Sequence, residues 1–411
     1  MRLHCTRVPL KLTTKWKLLY LVSTAAVVAL TTIFICSYPP TNVHVARRSP
    51  STNFPPPTQN IPHRPKTLLI YNNEQLCSSN TSQANMYNQH RHSWPTKPSA
   101  SKTDPAISIV IVVPSRRNNF MQRRLIRQTY GSVRQVNNVN ILAVVFVLGS
   151  DDDPKDSPTD PNALNVERLR FDDIIVGDLV DTYRSLSRKT IMTYDWLTSY
   201  CSEADLVLKT DDDVMVDIFK LTAELGKWTP AELQSFKFWC GVHSPETIER
   251  NPESIYYVSP AEYGREKFPK HCAGVGYVAT MHVIRLIADE ISKSFLGPIC
   301  THEDVFMTGI VPEKINSDGH EPPIERVNKI REWIFYIDEN NPNVDGHYIW
   351  IVSNEAFNKP VDFDEFRQRS GTRVFYLLQH DVDFEWKFMR LWYLVVNSFR
   401  HEEATIKSDI E

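Results

Sequence analysis

The stretch from residue 107 to residue 113 reads Ile-Ser-Ile-Val-Ile-Val-Val, carries no charge, and stops at Pro114. β-Branched residues without polar alternation make a strand buried on both faces, and such a strand needs a covering layer on each side. That requirement sets the class as α/β. Residues 141–148 repeat the pattern and close at Gly149, and between the two runs Met121, Leu125 and Ile126 fall among Arg123, Arg124 and Arg127 as in a basic helix. From Asp181 onward Tyr183, Leu186, Ile191, Tyr194 and Leu197 keep roughly helical spacing, which predicts a helix to about Tyr200 with Asp178 or Asp181 as its N-cap. A short strand over 205–209 leads to Asp211, Asp212 and Asp213, and a second apolar run follows at Val214, Met215 and Val216. The expected core is therefore a mostly parallel central sheet, whose ligands gather at the carboxyl ends of its strands. The 411 residues show neither an internal repeat nor a Gly-rich phosphate loop.

The amino-terminal segment has a different physical character. Arg2, Arg7, Lys11, Lys15 and Lys17 come with no acidic residue and lead into residues 18–36, which carry no charge. About 19 residues at ~1.5 Å each reach roughly 28 Å as a helix, enough to cross a bilayer core, and basic flanks stay cytoplasmic. The run is longer than the roughly 7 to 15 apolar residues of a signal peptide, and it ends at Cys36-Ser37-Tyr38-Pro39-Pro40. We therefore expect a cytoplasmic tail over 1–17, one uncleaved transmembrane anchor over 18–36, a stem over 37–104 and a lumenal domain over 105–411. The stem segment is rich in Pro, Asn, Ser and Thr, including Pro55, Pro56 and Pro57, a composition that favours an extended spacer. Asn80-Thr81-Ser82 is an N-glycosylation sequon in keeping with lumenal exposure. Cys77, Cys201, Cys240, Cys272 and Cys300 lie beyond the apolar run; their odd number leaves at least one outside any intramolecular disulfide, and their spacing lacks the paired C-x-x-C of a zinc site. A formal net charge of -3 gives no basic footprint for nucleic acid.

Three adjacent carboxylates repel one another unless a cation or solvent offsets them. At a strand end, Asp211-Asp212-Asp213 suits a hard divalent cation that shares phosphate oxygens of a ligand. A solvated acidic turn is the plainer reading, and Asp151-Asp152-Asp153 in its Pro-rich loop is read that way.

Context distinguishes the two triplets. Arg123-x-x-Ile126-Arg127-Gln128-Thr129-Tyr130-Gly131, Val145-Phe146-Val147-Leu148-Gly149, Asp173-Ile174-Ile175, Asp178-Leu179-Val180-Asp181-Thr182-Tyr183 and Lys189-Thr190 precede Lys209-Thr210 and the second triplet. Phe268-Pro269, Cys272-Ala273-Gly274-Val275-Gly276-Tyr277-Val278 and Glu303-Asp304-Val305 follow it. In this order, over about residues 107–312, the set resembles the β-1,3-galactosyltransferase and β-1,3-N-acetylglucosaminyltransferase family, glycosyltransferase family 31. The resemblance implies a GT-A-type glycosyltransferase domain, a UDP-sugar donor, Mn2+ or Mg2+ as cofactor, inversion at the anomeric carbon and a Golgi membrane location. It implies Asp211 and Asp213 as metal ligands and places Asp211, Asp212, Arg127 and Lys189 near the nucleotide, with Ser115 and Arg123 as further candidates. Plainer readings stand beside these: Arg127 as a helix-surface residue, Lys189 as the ion-pair partner of Asp181 or Asp178. Gly274 and Gly276 admit close backbone approach to a donor or acceptor. His271 stands where the family has an aromatic residue and is not read as a base. Tyr130, Ser185 and Phe268 depart mildly from the pattern, and the segment after Glu303 has one residue more before Gly309 than the commonest family pattern. Beyond the resemblance, Trp333, Tyr336, Tyr348, Trp350, Trp386, Trp392 and Tyr393 are read as core rather than as sugar-stacking surfaces.

An inverting single displacement needs a proton acceptor, for which Asp304 is the expected base and Glu303 the alternative. The expected reaction moves a hexose or N-acetylhexosamine, galactose first among them, in β-1,3 linkage onto a glycan of a glycoprotein or glycolipid. Two rivals come from other classes: a catalytically silent membrane-tethered lectin or folding partner, and a calcium-dependent adhesion protein. The triplet together with Glu303 and Asp304 speaks against the first, and the lack of an EF-hand loop or repeated acidic modules against the second.

Overall fold

The computed structural model describes residues 69–77, 92–93, 107–136, 138–153, 155, 159–293, 299–328, 334–337 and 363–410. All of them belong to the compact unit Pro65–Glu411. The expected tail, the anchor, most of the stem, the sequon at Asn80, and Trp333, Tyr348 and Trp350 lie outside the described residues. Among the described residues no helix is long and apolar enough to cross a membrane.

The strands in chain order are β1 (Leu69–Tyr71), β2 (His92–Ser93), β3 (Ile107–Pro114), β4 (Val133–Val136), β5 (Val139–Asp152), β6 (Ile174–Asp181), β7 (Leu206–Thr210) and β8 (Val214–Val216). They continue with β9 (Lys237–His243), β10 (His271–Thr280), β11 (Glu325–Asn328), β12 (Ile334–Ile337) and β13 (Phe375–Leu378). The large sheet runs β1-β6-β5-β3-β7-β10-β9-β11, with β4 beside β5 and β2 beside β4. Its centre, β6-β5-β3-β7, is parallel as the apolar runs require, and Ile109, Val110, Ile111 and Val113 of β3 are wholly buried. Beyond that centre the expectation of a mostly parallel sheet needs correction, because β1, β10 and β9 pair antiparallel and the sheet is mixed. The reason lies in the connections: β9 and β10 are joined by a long excursion rather than by a crossover helix, so they run as a hairpin would.

Two further expectations shift. The helix predicted from Asp181 begins at Leu186 and ends at Tyr200, after a single 3-10 turn at Tyr183–Ser185, while Asp181 closes β6 and caps nothing. The stretch expected to be stem contributes β1, which pairs with β6, and Cys77, which is bridged to Cys201 just past that helix. The folded unit therefore starts well before Ile107. A bridge joining residues 124 apart in sequence removes on the order of 4 to 5 kcal/mol of unfolded-state freedom in the chain-entropy account. Cys240 pairs with Cys272 across β9 and β10, and Cys300 is the free, buried thiol among the described cysteines.

The carboxyl-terminal segment closes the fold through a small sheet, β12-β13-β8. Helix Phe384–Ile410 lays Phe384, Phe388, Leu391, Leu394 and Val395 into the core, and Trp392 stacks on Phe219 with ring centroids 5.8 Å apart. Trp392 and Trp386 pack against the core as expected, whereas Tyr393 is exposed.

Candidate functional site

Because β6, β5, β3 and β7 run parallel in one sheet, the carboxyl ends of β3, β6 and β7 open on the same side. Ser115 follows β3, Asp181 ends β6 and Asp211 follows β7, and together they line a cleft of about 430 Å³. Arg116, Asn119, Thr182, Tyr183, Lys189, Asp212, Asp213 and His380 also line it. This is the strand-end position where open α/β sheets hold ligands.

The three aspartates have three different tasks. Asp211 accepts from the Lys209 ammonium at 2.7 Å and keeps 41% of its side-chain surface open to the cleft. Partial loss of water around the carboxylate, reinforced by Asp213, pushes its carboxyl up to about 7 in spite of Lys209. Asp212 is buried and accepts from the Ser115 hydroxyl at 2.6 Å and the Asn119 amide at 2.9 Å, so it ties the loop after β3 to the loop after β7. Asp213 has one buried oxygen, Oδ1, without a hydrogen-bond partner among the described residues, while Oδ2 lies 3.3 Å from Nε2 of His380. Its hydrogen bond to the Asp213 carboxylate holds the His380 imidazole above its usual range, against the opposing effect of burial.

His380 was not legible as a site residue. It sits two positions beyond β13, and β13 pairs antiparallel with β8, matching Leu377 to Val214, while the Leu378 amide donates to the Asp213 carbonyl at 3.1 Å. The signal is a pairing between distant strands, which no local pattern contains. A buried Asp213 oxygen lacking a partner among the described residues, the imidazole 3.3 Å from the same carboxylate and the Asp211 carboxylate on the same cleft wall are of the O/N chemistry that fits a first-row divalent cation such as Mn2+.

Lys189 lines the cleft from the first turn of its helix, where its ammonium pairs with Asp181 and donates to the Ser115 carbonyl at 3.0 Å. Its burial is nearly complete and pulls the ammonium below its usual range despite Asp181. Arg123 and Arg127, expected near the nucleotide, do not line the cleft. Arg123 is wholly buried and donates to Glu167, to the Ser115 hydroxyl and to the Arg116 and Arg117 carbonyls. It thus props the loop that carries Ser115. Arg127 grips both oxygens of Asp173 at 2.7 and 2.8 Å and reaches Glu167 at 2.6 Å, with Phe146 and Phe171 near its guanidinium plane. Although burial works against its charge, Asp173 and Glu167 hold Arg127 above its usual range. Burial likewise raises Asp173, and the bidentate geometry is that of a charged pair in which the guanidinium offsets that cost.

Glu303 and Asp304 start a short helical turn, Glu303–Val305, that continues into a π-helical turn at Phe306–Ile310. They face different surroundings. Glu303 is buried, accepts from the Tyr277 hydroxyl at 3.0 Å and lies 3.3 Å from the Lys209 ammonium; burial raises its carboxyl while Lys209 opposes. Asp304 uses Oδ1 to accept from the Val305 amide at 2.8 Å, and its Oδ2 points at Gly274, where an added Cβ would come within 3.1 Å. Glycine at 274 leaves that oxygen its room. Lys209 joins the two halves of the site: its ammonium also donates to the Gly274 carbonyl at 2.7 Å, and although burial opposes its charge, Asp211 and Glu303 hold it above its usual range. Tyr183 lines the cleft and packs edge-on against Tyr256 and His302, next to the Glu303 turn.

Comparison with known proteins gives the same direction. The galactosyltransferase family model ("Galactosyltransferase") matches residues 121–323. The chain is 32% identical over 217 residues to the lactosylceramide 1,3-N-acetyl-beta-D-glucosaminyltransferase of Xenopus tropicalis, covering 50% of this chain and 56% of that protein. It is 32% identical over 209 residues to beta-1,3-galactosyltransferase 5 of Homo sapiens, covering 51% of this chain and 63% of that protein. The matched region thus spans less than two thirds of either relative. A solved structure of the galactosyltransferase LgtC with donor and acceptor sugar analogues overlaps at 10% identity and a TM-score of 0.32, covering 70% of this chain and 95% of that one, too little for any argument about this chain. The matched segment carries β4 to β10, the acidic triplet and the Glu303 turn, and over it the chain is similar to the galactosyltransferase family and to these β-1,3-galactosyl- and β-1,3-N-acetylglucosaminyltransferases.

Proposed function

We propose that this protein is an inverting, metal-dependent glycosyltransferase that moves a hexose or N-acetylhexosamine, galactose in the first instance, from a UDP-sugar in β-1,3 linkage to a glycan of a glycoprotein or glycolipid. One observation carries the reading: an unpartnered, buried oxygen of Asp213 faces a strand-end cleft beside His380. Asp213 and His380, with Asp211 at the open side, would hold Mn2+ or Mg2+, which supplies Lewis acidity to a diphosphate leaving group. Ser115 and Lys189 serve the cleft differently. The Ser115 hydroxyl fixes Asp212, and the Lys189 ammonium fixes the ends of β3 and β6, so both shape the donor cleft from its rim.

The base is Asp304. Both oxygens of Glu303 have buried partners, Tyr277 and Lys209, whereas Asp304 keeps Oδ2 free of hydrogen bonds among the described residues and directed past Gly274. A positioned carboxylate of this kind contributes about 10² to 10⁴-fold by taking the acceptor hydroxyl proton as the bond to the anomeric carbon forms. Glu303 and Lys209 position it.

The same proposal places the protein in the Golgi membrane as a single-pass type II chain. The uncharged run 18–36 with its basic flank supports the topology, and disulfides Cys77–Cys201 and Cys240–Cys272 are in keeping with an oxidising lumen. Release of UDP from a panel of UDP-sugars, with Mn2+ and a glycan acceptor, tests the activity. Release that survives excess chelator would contradict metal dependence, and glycan binding without any release would instead favour a silent lectin. Proteolysis of intact microsomes tests the topology: residues beyond 36 should be protected until detergent is added.

A further inference from the structure

Away from the cleft, His243, Glu246 and His271 form a second cluster of metal-ligating side chains. One ring nitrogen of each histidine and one carboxylate oxygen of Glu246 all lie within 4.8 Å of one another. We propose that these three residues bind a first-row divalent metal of the zinc class at the neck of the excursion between β9 and β10.

The backbone builds the site before any metal arrives. His243 ends β9 and His271 begins β10, and the two are register partners in the antiparallel ladder. Their imidazoles therefore leave the sheet side by side, with ring centroids 5.3 Å apart and planes within 10°. The Cys240–Cys272 bridge locks the same two strands beside them. His271 is buried, and its Nδ1 lies 2.9 Å from the Pro269 carbonyl. A carbonyl can only accept, so the proton belongs on Nδ1 and the Nε2 lone pair is left for a ligand, the arrangement by which outer partners orient metal-binding histidines. Gly309 lies behind this ring, where an added Cβ would come 3.1 Å from the His271 Cβ, so the backbone there approaches as closely as a side chain would otherwise prevent. The third ligand is also held, since the Phe268 amide donates to the Glu246 carbonyl at 2.9 Å and brings its carboxylate to 2.7 Å from Nδ1 of His243.

Ligand type selects the ion. Two imidazoles and one carboxylate suit Zn2+, Co2+ or Ni2+ and suit Mg2+ or Ca2+ poorly. Zinc ligands at ~2.0–2.1 Å in a tetrahedral set lie about 3.4 Å apart, so the cluster must close by roughly 1.4 Å at most. His243 and Glu246, 39% and 53% exposed, can supply that movement by side-chain rotation while His271 stays fixed. The exposed side leaves a fourth position for water or another ligand.

The position gives the ion a use. Residues 244–270 leave the sheet at His243 and return at His271, and within them the Arg250 guanidinium donates to the Val258, Tyr263 and Arg265 carbonyls. The same excursion reaches the cleft side through Arg184, which pairs with Glu262 at 2.6 Å, and through Tyr256 against Tyr183. A metal at the neck would clasp both ends of this element and set the wall beside Asp304.

The test uses the full chain in detergent, stripped with chelator and equilibrated with Zn2+, in an Asp213→Asn background that disables the cleft. One retained equivalent of zinc is expected, with Co2+ in its place giving the visible absorption of a low-coordinate nitrogen and oxygen site. His243→Gln, at a half-exposed position, and Glu246→Gln, at an exposed one, should each weaken zinc binding at least 10-fold while leaving the circular dichroism unchanged. The proposal is overturned if no zinc is retained at micromolar free metal. Zinc affinity equal to that of the parent in either variant overturns it as well.

Discussion

Replacing Arg127 with Met separates a structural arginine from a nucleotide-binding one. Its guanidinium makes three charge-assisted hydrogen bonds of 2.6 to 2.8 Å to Asp173 and Glu167, and both acids are buried. Glu167 keeps a second partner in Arg123, but Asp173 has no other bonded cation among the described residues. Breaking a buried pair by removing one partner typically costs 3 to 5 kcal/mol, because the charge left behind stays buried. For a folded unit of this size that corresponds to a fall in Tm of roughly 5 to 10 °C. Arg127→Met combined with Asp173→Asn should recover a good part of the loss, since the stranded charge is gone and Phe146 and Phe171 can close on the methionine. Urea unfolding of both variants, with KM for the UDP-sugar measured where each is folded, checks the reasoning. A donor KM raised tenfold or more in Arg127→Met with an unchanged unfolding midpoint would falsify it and return Arg127 to the nucleotide.

Three further outcomes follow from the cleft. Asp304→Asn should lower kcat by about 10² or more with stability near wild type, whereas Glu303→Gln should chiefly cost stability, by about 1 to 3 kcal/mol, because it weakens the pairing of buried Lys209; single-turnover transfer and thermal melting on both variants distinguish them, and near-wild-type transfer by Asp304→Asn would remove it as the base. Gly274→Ala puts a methyl 3.1 Å from Asp304 Oδ2 and should reduce kcat with little change in donor KM, and an unchanged kcat would show that this oxygen does not need its present position. In metal-free protein the raised His380 imidazole contributes stability that is fully present below the unfolded-state pKa near 6.5 and is lost as pH rises through its higher folded-state value. The deficit of His380→Gln should therefore be larger at pH 6 than at pH 8, and below about 1 kcal/mol because the ring is half exposed; a deficit that grows with pH would reverse the argument.

The amino-acid pattern by itself determined the elements whose character is local. Uncharged β-branched runs can be buried only as interior strands, so β3, the middle of β5, β7 and β8 were legible to within a few residues, and with them the strand-end position of Asp211, Asp212 and Asp213. Glu303 and Asp304 were legible as a pair, because the family pattern marks them, but their division of labour was not. That division depends on which carboxylate meets Tyr277 and Lys209 and which meets Gly274, and all three partners come from other strands. The burial of Arg123 and Arg127 followed the same logic. Their helix has the basic sequence of an exposed face, and only its packing near Glu167 and Asp173 turns that face inward. Asp181 reads locally as a helix cap, yet the parallel sheet brings it to Lys189 as the end of a strand. His380 and the strand at 69–71 had no local signal, and Cys77 had none that named its partner, since the first is placed by β13 pairing with β8 and the others by β1 pairing with β6 and by a disulfide to Cys201. Hydrophobic periodicity records whether a residue is buried. The partner of a buried charge is set by sheet order and register, which exist only once the chain has folded.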